Sequence, residues 1–392
     1  MNVGIIVAAG EGTRFGKFKQ TEMLLDKKVY QHVLDVFVSS DLIELICLVV
    51  HEDLYETIKQ DLNAYNTEKK IFVCEGGDTR LQSVYNAVSN IRKADQRYDK
   101  VCISDAVRPL ITKEDIKNVI LNCTENSGCI VGKKIYDTVK KVDTPDQEAS
   151  IIETLPRDQL WVSQTPQAFC LKTLWDCYTT DFHRHFVDEP INPEITDEAC
   201  LLELNGYSVK IIESVNTNIK ITTKSDLKLA KQLLSKPLTG LGIDFHSLIE
   251  GDHLIVGGHK IDCDFSSKAH SDGDVLTHSI IDALLGVLNL GDIGEHFPNT
   301  SENLNISSIE LLKKIIKKIP NNKKILHIDS SIVLNEPKIS PHKESIKESL
   351  SKVLKIKTEQ ISIKSTTTNA LAFLDMSTGW GVQTILTLGD DS

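Results

Sequence analysis

Residues 269–278, AHSDGDVLTH, place two histidines and two aspartates within ten positions. Shortly before them, GIDFHSL (242–248) reads as a strand in which Asp244 and His246 are two apart and so point to one face. Asp-Gly-Asp at 272–274 suits a helix start, with Asp272 as a candidate cap. The helix runs on through SIIDALLG, with His278 in its first turns and Asp282 one turn further along the same face. Asp244, His246 and His278 are a carboxylate and two imidazoles, a set suited to Zn²⁺. Three protein ligands leave a fourth position open to an anion, which is the catalytic arrangement; structural zinc takes four. Asp282 is placed to orient one of the ligands. Asp-Gly-Asp does not begin an EF-hand, because the twelve-residue pattern and its final Glu are missing.

A second candidate site lies near the start. AAGEGTRFG (8–16) directly follows the apolar run VGIIVAA (3–9). Ala8, Ala9, Gly10 and Gly12 leave the backbone bare, so consecutive N–H groups can approach a phosphate. Arg14 and Lys19 add cationic donors beside that cradle. Neither G-x-x-x-x-G-K-S/T nor G-x-G-x-x-G is met, and a plain tight turn between strand and helix uses the same residues.

Two domains are expected to position these groups, because 392 residues exceed one ordinary core. From residue 3 to about 234, buried-strand runs (VGIIVAA, LICLVV, KIFVC, KVCIS) alternate with helical spacing at 30–40, 79–91 and 113–123. That alternation predicts a largely parallel sheet covered on both faces. Residues 133–169 interrupt it as two extended arms around a polar turn. SKPLTG marks a junction near 236, giving domains 1–235 and 236–392. The second, smaller α/β domain reads as strands at 241–246 and 253–257, helices at 273–287 and 306–319, a strand at 325–334, a helix at 341–354, and strands at 359–365 and 380–388. The net charge of -11 argues against nucleic acid or an anionic membrane as main partner, though not against small anionic substrates. No apolar run approaches 18 residues, the opening stretch lacks a basic leader, and nine unpatterned cysteines suit reduced thiols; a cytoplasmic protein with mostly buried cysteines is expected.

The opening AAGEGTRF resembles that of sugar-phosphate-type nucleotidyltransferases. GGDTRLQSV (76–84), SDAVRP (104–109), IYDTVKK (135–141), LWVSQTPQAF (160–169), EITDEA (194–199) and NIKIT (218–222) follow in the order seen in cytidylyltransferases acting on 2-C-methyl-D-erythritol 4-phosphate. The resemblance implies a Rossmann-like nucleotidyltransferase domain with a β-arm. Its substrate phosphate attacks the α-phosphorus of CTP and pyrophosphate leaves. Arg14 and Lys19 would stabilise the transition state, and Asp105 would hold Mg²⁺ or Mn²⁺. Ala8, Ala9, Gly10, Gly12, Gly77, Asp78, Ser83 and Ala106 would bind nucleotide. Arg157, Thr165, Thr196 and Lys220 would bind the methylerythritol phosphate, and Arg108 and Thr138 substrate or nucleotide, with Arg157 and Lys220 counted as catalytic. Phe18 stands where the family has Pro before the lysine, and an acidic residue usual before N-I-K is replaced near Thr217.

The Asp-x-His and H-S-D-G-D-x-x-x-H pair, with GDIGEHFP (291–298), NEPKISPH (335–342) and STTTNALAF (365–373), resembles 2-C-methyl-D-erythritol 2,4-cyclodiphosphate synthases. This implies cyclisation of 4-CDP-2-C-methyl-D-erythritol 2-phosphate with release of CMP, with zinc on Asp244, His246 and His278 and a second Mg²⁺ or Mn²⁺. His270 and Thr367 would stabilise the transition state, helped by backbone donors of Thr366 and Thr368. Ser271, Asp292, Gly294, Phe297, Lys338 and Phe373 would line substrate or nucleotide pockets. Asn299, Asn369 and DMSTGWG replace an Asp, a Glu and a Gly-Arg-Gly-Glu-Gly of the family, so weaker protein-side binding of the second metal is expected. The two steps are not adjacent, so a separate kinase is implied. The resemblance also implies dimer contacts through the arm and trimer contacts in the second domain, compatible with a hexamer. A rival expectation is a nucleotidyltransferase whose zinc domain serves assembly alone.

Overall fold

The computed structural model describes residues 1–12, 15–16, 18–94, 97–144, 148–182, 195–298, 306–367 and 379–390. The chain divides into two compact units, Met1–Leu234 and Ser235–Ser392.

Unit one is built on a seven-stranded sheet: β1 (Asn2–Ala8), β2 (Leu45–Val50), β3 (Lys70–Glu75), β4 (Lys100–Asp105), β5 (Ser127–Lys134), β6 (Trp161–Cys170) and β7 (Ser208–Glu213), in the order β7-β5-β6-β4-β1-β2-β3. β1 pairs in parallel with β2 and β4, and β2 with β3. These strands are apolar runs because helices cover both faces. Helix Val29–Val38 buries Tyr30, Val33, Leu34 and Phe37 on one face, and helix Arg80–Ala94 buries Val84, Ala87, Val88 and Ile91 on the other. The sheet departs from the parallel expectation at β6, which runs antiparallel to both β4 and β5. The 133–169 stretch supplies its returning strand to the sheet, and only Val139–Val142 and Ile151–Leu155 project as a paired arm. Six of the nine cysteines are buried, all nine as free thiols.

Unit two carries a five-stranded sheet: β8 (Leu238–Glu250), β9 (Phe265–Ser267), β10 (Lys323–Val333), β11 (Ile361–Thr366) and β12 (Gly379–Asp390), ordered β9-β8-β12-β10-β11. Helix Val275–Val287 lies against β8 and β12 and is apolar almost all round, because helix Ser308–Ile316 covers it from the other side. Gly242 permits the close approach. A Cβ there would stand 1.9 Å from the Ser279 carbonyl oxygen and 2.6 Å from the Ala283 nitrogen, both backbone atoms that cannot rotate away. Gly242→Ala is therefore expected to push helix and strand apart, costing about 3 kcal/mol or more by urea unfolding. A variant within 0.5 kcal/mol of the parent, roughly the scatter of a harmless surface change, would contradict this packing. Among the described residues no helix is long and apolar enough to cross a membrane.

Candidate functional site

The first cleft, of about 500 Å³, opens at the carboxyl ends of β1, β3 and β4. Open α/β sheets bind ligands there, since strand ends and helix starts leave backbone donors exposed. Ala8, Ala9, Gly10, Gly12, Lys19, Gly77, Asp78, Ser83, Asp105 and Lys220 all line it. Gly12 adopts a φ of 70°, which favours glycine, and its carbonyl accepts the N–H groups of Phe15 and Gly16. The loop is clamped by Gln20, 1% exposed, whose amide donates to the carbonyls of Ala8 (2.7 Å) and Gly10 (3.0 Å). Gly77 N–H donates to Ser83 Oγ at 3.0 Å, so this loop is tied to the first turn of helix Arg80–Ala94.

Asp105 is the electrostatic centre of this cleft. Its Oδ2 lies 2.8 Å from Lys220 Nζ and 3.4 Å from Arg108 Nε, and its Oδ1 lies 3.4 Å from Arg80 Nε. Burial pushes its carboxyl upward, but Arg80, Lys220 and Arg108 outweigh burial and hold it well below the usual carboxylate range. Arg80 is itself fixed by the fully buried Glu198, with Nη1 2.7 Å from Oε2. Sequence reasoning assigned no role to Gln20, Arg80 or Glu198; Arg80 and Glu198 stand inside the quoted strings GGDTRLQSV and EITDEA.

Several other expected residues lie elsewhere. Thr165 is buried, and its hydroxyl accepts the Asp105 N–H at 3.0 Å while its carbonyl accepts Asn218 Nδ2 at 2.7 Å. Arg108 donates to the Asn218 carbonyl at 3.0 Å, so both residues brace Asp105 from behind. Ala106 is buried, and its N–H donates to Val7. Thr138 and Thr196 are exposed and outside the cleft lining. Arg157 sits at the base of the arm, its Nη1 donating to the Tyr136 carbonyl at 2.7 Å. Arg14 lies outside the described residues, as do Asn299, Thr368, Asn369 and Phe373.

In unit two, Asp244 and His246 project from one face of β8, and His278 meets them from helix Val275–Val287. Asp244 Oδ2 lies 3.1 Å from His246 Nε2 and 3.0 Å from His278 Nδ1. Ligand atoms on one tetrahedral ion with bonds of about 2.0–2.1 Å stand about 3.3 Å apart, so the donor set fits a shared ion. The opposite ring nitrogens are held too. His246 Nδ1 faces the Lys268 carbonyl at 3.2 Å, and His278 Nε2 faces Ser308 Oγ at 2.8 Å and Ser271 Oγ at 3.2 Å. A carbonyl accepts only a proton, so it directs the His246 lone pair toward Asp244, as metal-ligating histidines require. Burial pushes the Asp244 carboxyl up, while His246 and His278 outweigh it and hold it well below the usual range; Asp244 in turn raises His246.

The cluster opens into a cleft of about 360 Å³ lined by Lys268, His270, Ser271, Gly294, Phe297 and Leu311, among others. Asp292 caps the short helix Ile293–His296 at its edge. Two expectations need correction. Asp274, not Asp272, caps helix Val275–Val287: it is fully buried and accepts N–H groups from Thr277, Gly257 and Gly258. Asp272 instead accepts the Ser308 N–H at 2.9 Å, anchoring the next helix. Asp282 is not the partner that holds either imidazole: the outer ring nitrogens face Lys268, Ser308 and Ser271, and Asp282 Oδ1 accepts the Ile293 N–H at 2.8 Å. Lys338, Thr366 and Thr367 do not line this cleft; Lys338 Nζ bonds the Asn335 carbonyl at 3.0 Å.

Residues 2–236 match the family model described as 2-C-methyl-D-erythritol 4-phosphate cytidylyltransferase, and residues 238–389 match that of the YgbB family. A protein of Bartonella bacilliformis named bifunctional enzyme IspD/IspF is 31% identical, with 96% of this chain and 94% of that protein covered. One of the same name from Desulforudis audaxviator is 32% identical with the same coverage. The solved structure of 4-diphosphocytidyl-2C-methyl-D-erythritol synthase from Anaerococcus prevotii is 28% identical, with a TM-score of 0.50, over 60% of this chain and 96% of that one. Two sites of different chemistry, each within its own matched region and in the same order as in these relatives, place the chain in the bifunctional IspD/IspF family.

Proposed function

We propose that the protein catalyses two non-adjacent steps of the non-mevalonate route to isoprenoid precursors. Unit one transfers CMP from CTP to 2-C-methyl-D-erythritol 4-phosphate and releases pyrophosphate. Unit two cyclises 4-CDP-2-C-methyl-D-erythritol 2-phosphate to the 2,4-cyclodiphosphate and releases CMP. The observation that carries this reading is the pairing of a cationic, glycine-walled cleft with an open Asp-His-His cluster. Positioning and charge neutralisation dominate both reactions, since each displaces one phosphate oxygen by another.

In unit one, the Ala8–Gly12 backbone and Lys19 cradle the triphosphate, and Gly77, Asp78 and Ser83 face the nucleoside. Arg14 would act beside Lys19. Lys220, next to Asp105, would hold the attacking phosphate against the α-phosphorus. Asp105 would hold Mg²⁺. Lys220 and the two arginines already face its oxygens, so the ion would take a carboxylate oxygen in place of Lys220, which turns to the substrate phosphate, and would draw its other ligands from the triphosphate; such ions keep one or two protein carboxylates plus substrate phosphates. Arg157 and Thr138, with the arm, would reach the site of a neighbouring subunit.

In unit two, Asp244, His246 and His278 would hold zinc, which supplies Lewis-acid polarisation of the phosphate under attack. His270 and Ser271 would orient that phosphate, and Asp292, Gly294 and Phe297 would bound the pocket. Lys338, Thr366 and Thr367 would come from an adjoining subunit. The apolar side chains of Leu241, Ile243, Phe245 and Ile385, exposed on the sheet, supply a surface for that contact. Light scattering is expected to give a mass near six chains; a clean monomer would contradict it. The intermediate phosphorylation requires a separate kinase. Assembly-only zinc is the rival reading, and an open three-ligand cluster disfavours it.

Zinc needs neutral imidazoles, whereas Asp244 raises His246 and so keeps it protonated to higher pH. Zinc affinity is therefore expected to fall as the pH drops through the His246 value. Competition with a chelator near pH 6 and pH 8 measures this. Equal affinity at both would remove His246 from the ligand set. The transfer step is tested by supplying CTP, Mg²⁺ and 2-C-methyl-D-erythritol 4-phosphate and following pyrophosphate by phosphorus NMR.

A further inference from the structure

We infer that His51 is a hydrogen-bond donor to the pyrophosphate leaving group, an inference that rests on the CMP-transfer reading of unit one. His51 directly follows β2, whose last residue Val50 is registered against Ala8 at the end of β1. It therefore stands beside the bare-backbone loop, and it lines the same cleft as Gly10, Glu11, Gly12 and Lys19. Its ring has one defined orientation. Nδ1 is engaged within its own turn, accepting the Asp53 N–H at 3.2 Å and lying 3.5 Å from Asp53 Oδ2, so Nε2 is the ring nitrogen left to carry a proton toward a ligand. Nε2 is on the Glu11 side, 4.0 Å from Oε1 and beyond hydrogen-bond reach. The Phe18 ring, standing where a proline was expected, lies 5.0 Å away at 48° and holds the imidazole on its other flank. The side chain is 23% exposed, so the ring is packed in place yet accessible from the cleft.

The geometry thus presents an N–H donor at the triphosphate end of the cleft, away from Asp105 and Lys220, where the α-phosphorus and sugar phosphate are expected. In the transfer step a P–O bond forms between the sugar phosphate and the α-phosphorus. The bond from the α-phosphorus to the bridging oxygen breaks, and its electron pair leaves with pyrophosphate. The negative charge on the pyrophosphate oxygens grows through that step, and a donor aimed at them strengthens as it grows. No proton has to move in this step.

The experiment compares His51→Phe with His51→Gln. The first keeps a ring against Phe18 and removes the donor; the second keeps an amide N–H near the Nε2 position. Steady-state kinetics are combined with direct titration of pyrophosphate in the presence of Mg²⁺. His51→Phe is expected to lower kcat/KM for CTP and to weaken pyrophosphate binding by about 10- to 100-fold each, with the KM for the sugar phosphate within about twofold. His51→Gln is expected to recover most of both losses. Unchanged CTP kinetics and pyrophosphate binding in His51→Phe would overturn the inference, and so would a loss confined to the sugar-phosphate KM. Failure of His51→Gln to recover either quantity would overturn it too. Parent protein that binds pyrophosphate through His51 but transfers no CMP would instead overturn the CMP-transfer reading and leave the subsite standing.

Discussion

Replacing His278 with alanine is expected to abolish metal binding at the proposed zinc site and reduce cyclisation by at least about 100-fold, while CMP transfer stays within about twofold. His278 is the single ligand supplied by helix Val275–Val287, and its Nδ1 lies 3.0 Å from Asp244 Oδ2. Without it, Asp244 and His246 remain on one strand, one short of the three protein ligands that a catalytic site needs. The loss also removes one partner of Ser308 and Ser271, whose hydroxyls face His278 Nε2 but keep their bonds to Asp272 and to the Gly273 N–H. Metal analysis and separate assays of the two reactions read the result. Retained zinc with cyclisation within tenfold of the parent would show that the cluster is not the catalytic centre. Loss of both reactions in a folded variant would show that the units are coupled.

Asp105→Asn is expected to give the mirror image: CMP transfer falls at least about 100-fold and cyclisation is unchanged. The amide keeps the shape of the carboxylate and removes its charge. Three cations, Arg80, Arg108 and Lys220, then face a neutral group in a buried setting. Removing one partner of a buried ion cluster typically costs about 3–5 kcal/mol, so unit one is expected to unfold at lower urea. The sign with pH follows from the direction of the shift. The folded carboxyl sits below its unfolded value of about 3.9, so its contribution is complete above that value and is lost as the pH falls through the folded one. The stability gap between parent and variant is therefore flat across neutral pH and narrows only in strong acid. A gap that closed between pH 8 and pH 6 would contradict this account of Asp105. Undiminished transfer in the variant would remove it from the metal site.

Local signals carried much of this architecture. Buried parallel strands announce themselves as apolar runs such as VGIIVAA and LICLVV. A two-residue spacing puts Asp244 and His246 on one face wherever the strand lies. What local signals do not carry is the identity of a partner far away in the chain. Arg80 and Glu198 are 118 positions apart, and only the fold reveals that one fixes the other. Gln20 looks like an ordinary polar residue after a lysine until its amide is seen to clamp two loop carbonyls. Asp272 and Asp274 have equal capping chemistry. The choice between them depends on Gly257 and Gly258, whose N–H groups converge on Asp274 from another strand turn. The reversal at β6 escapes periodicity for a similar reason, since a strand buried on both faces looks alike in either direction.

Supplying the purified protein with 4-CDP-2-C-methyl-D-erythritol 2-phosphate, zinc and Mg²⁺, and following the products by phosphorus NMR, tests the central claim most directly. The account predicts equimolar CMP and cyclic 2,4-diphosphate from the parent, and neither from His278→Ala. A zinc-loaded, folded parent that left this substrate unchanged, while still transferring CMP from CTP, would contradict it and favour a zinc domain that serves assembly alone.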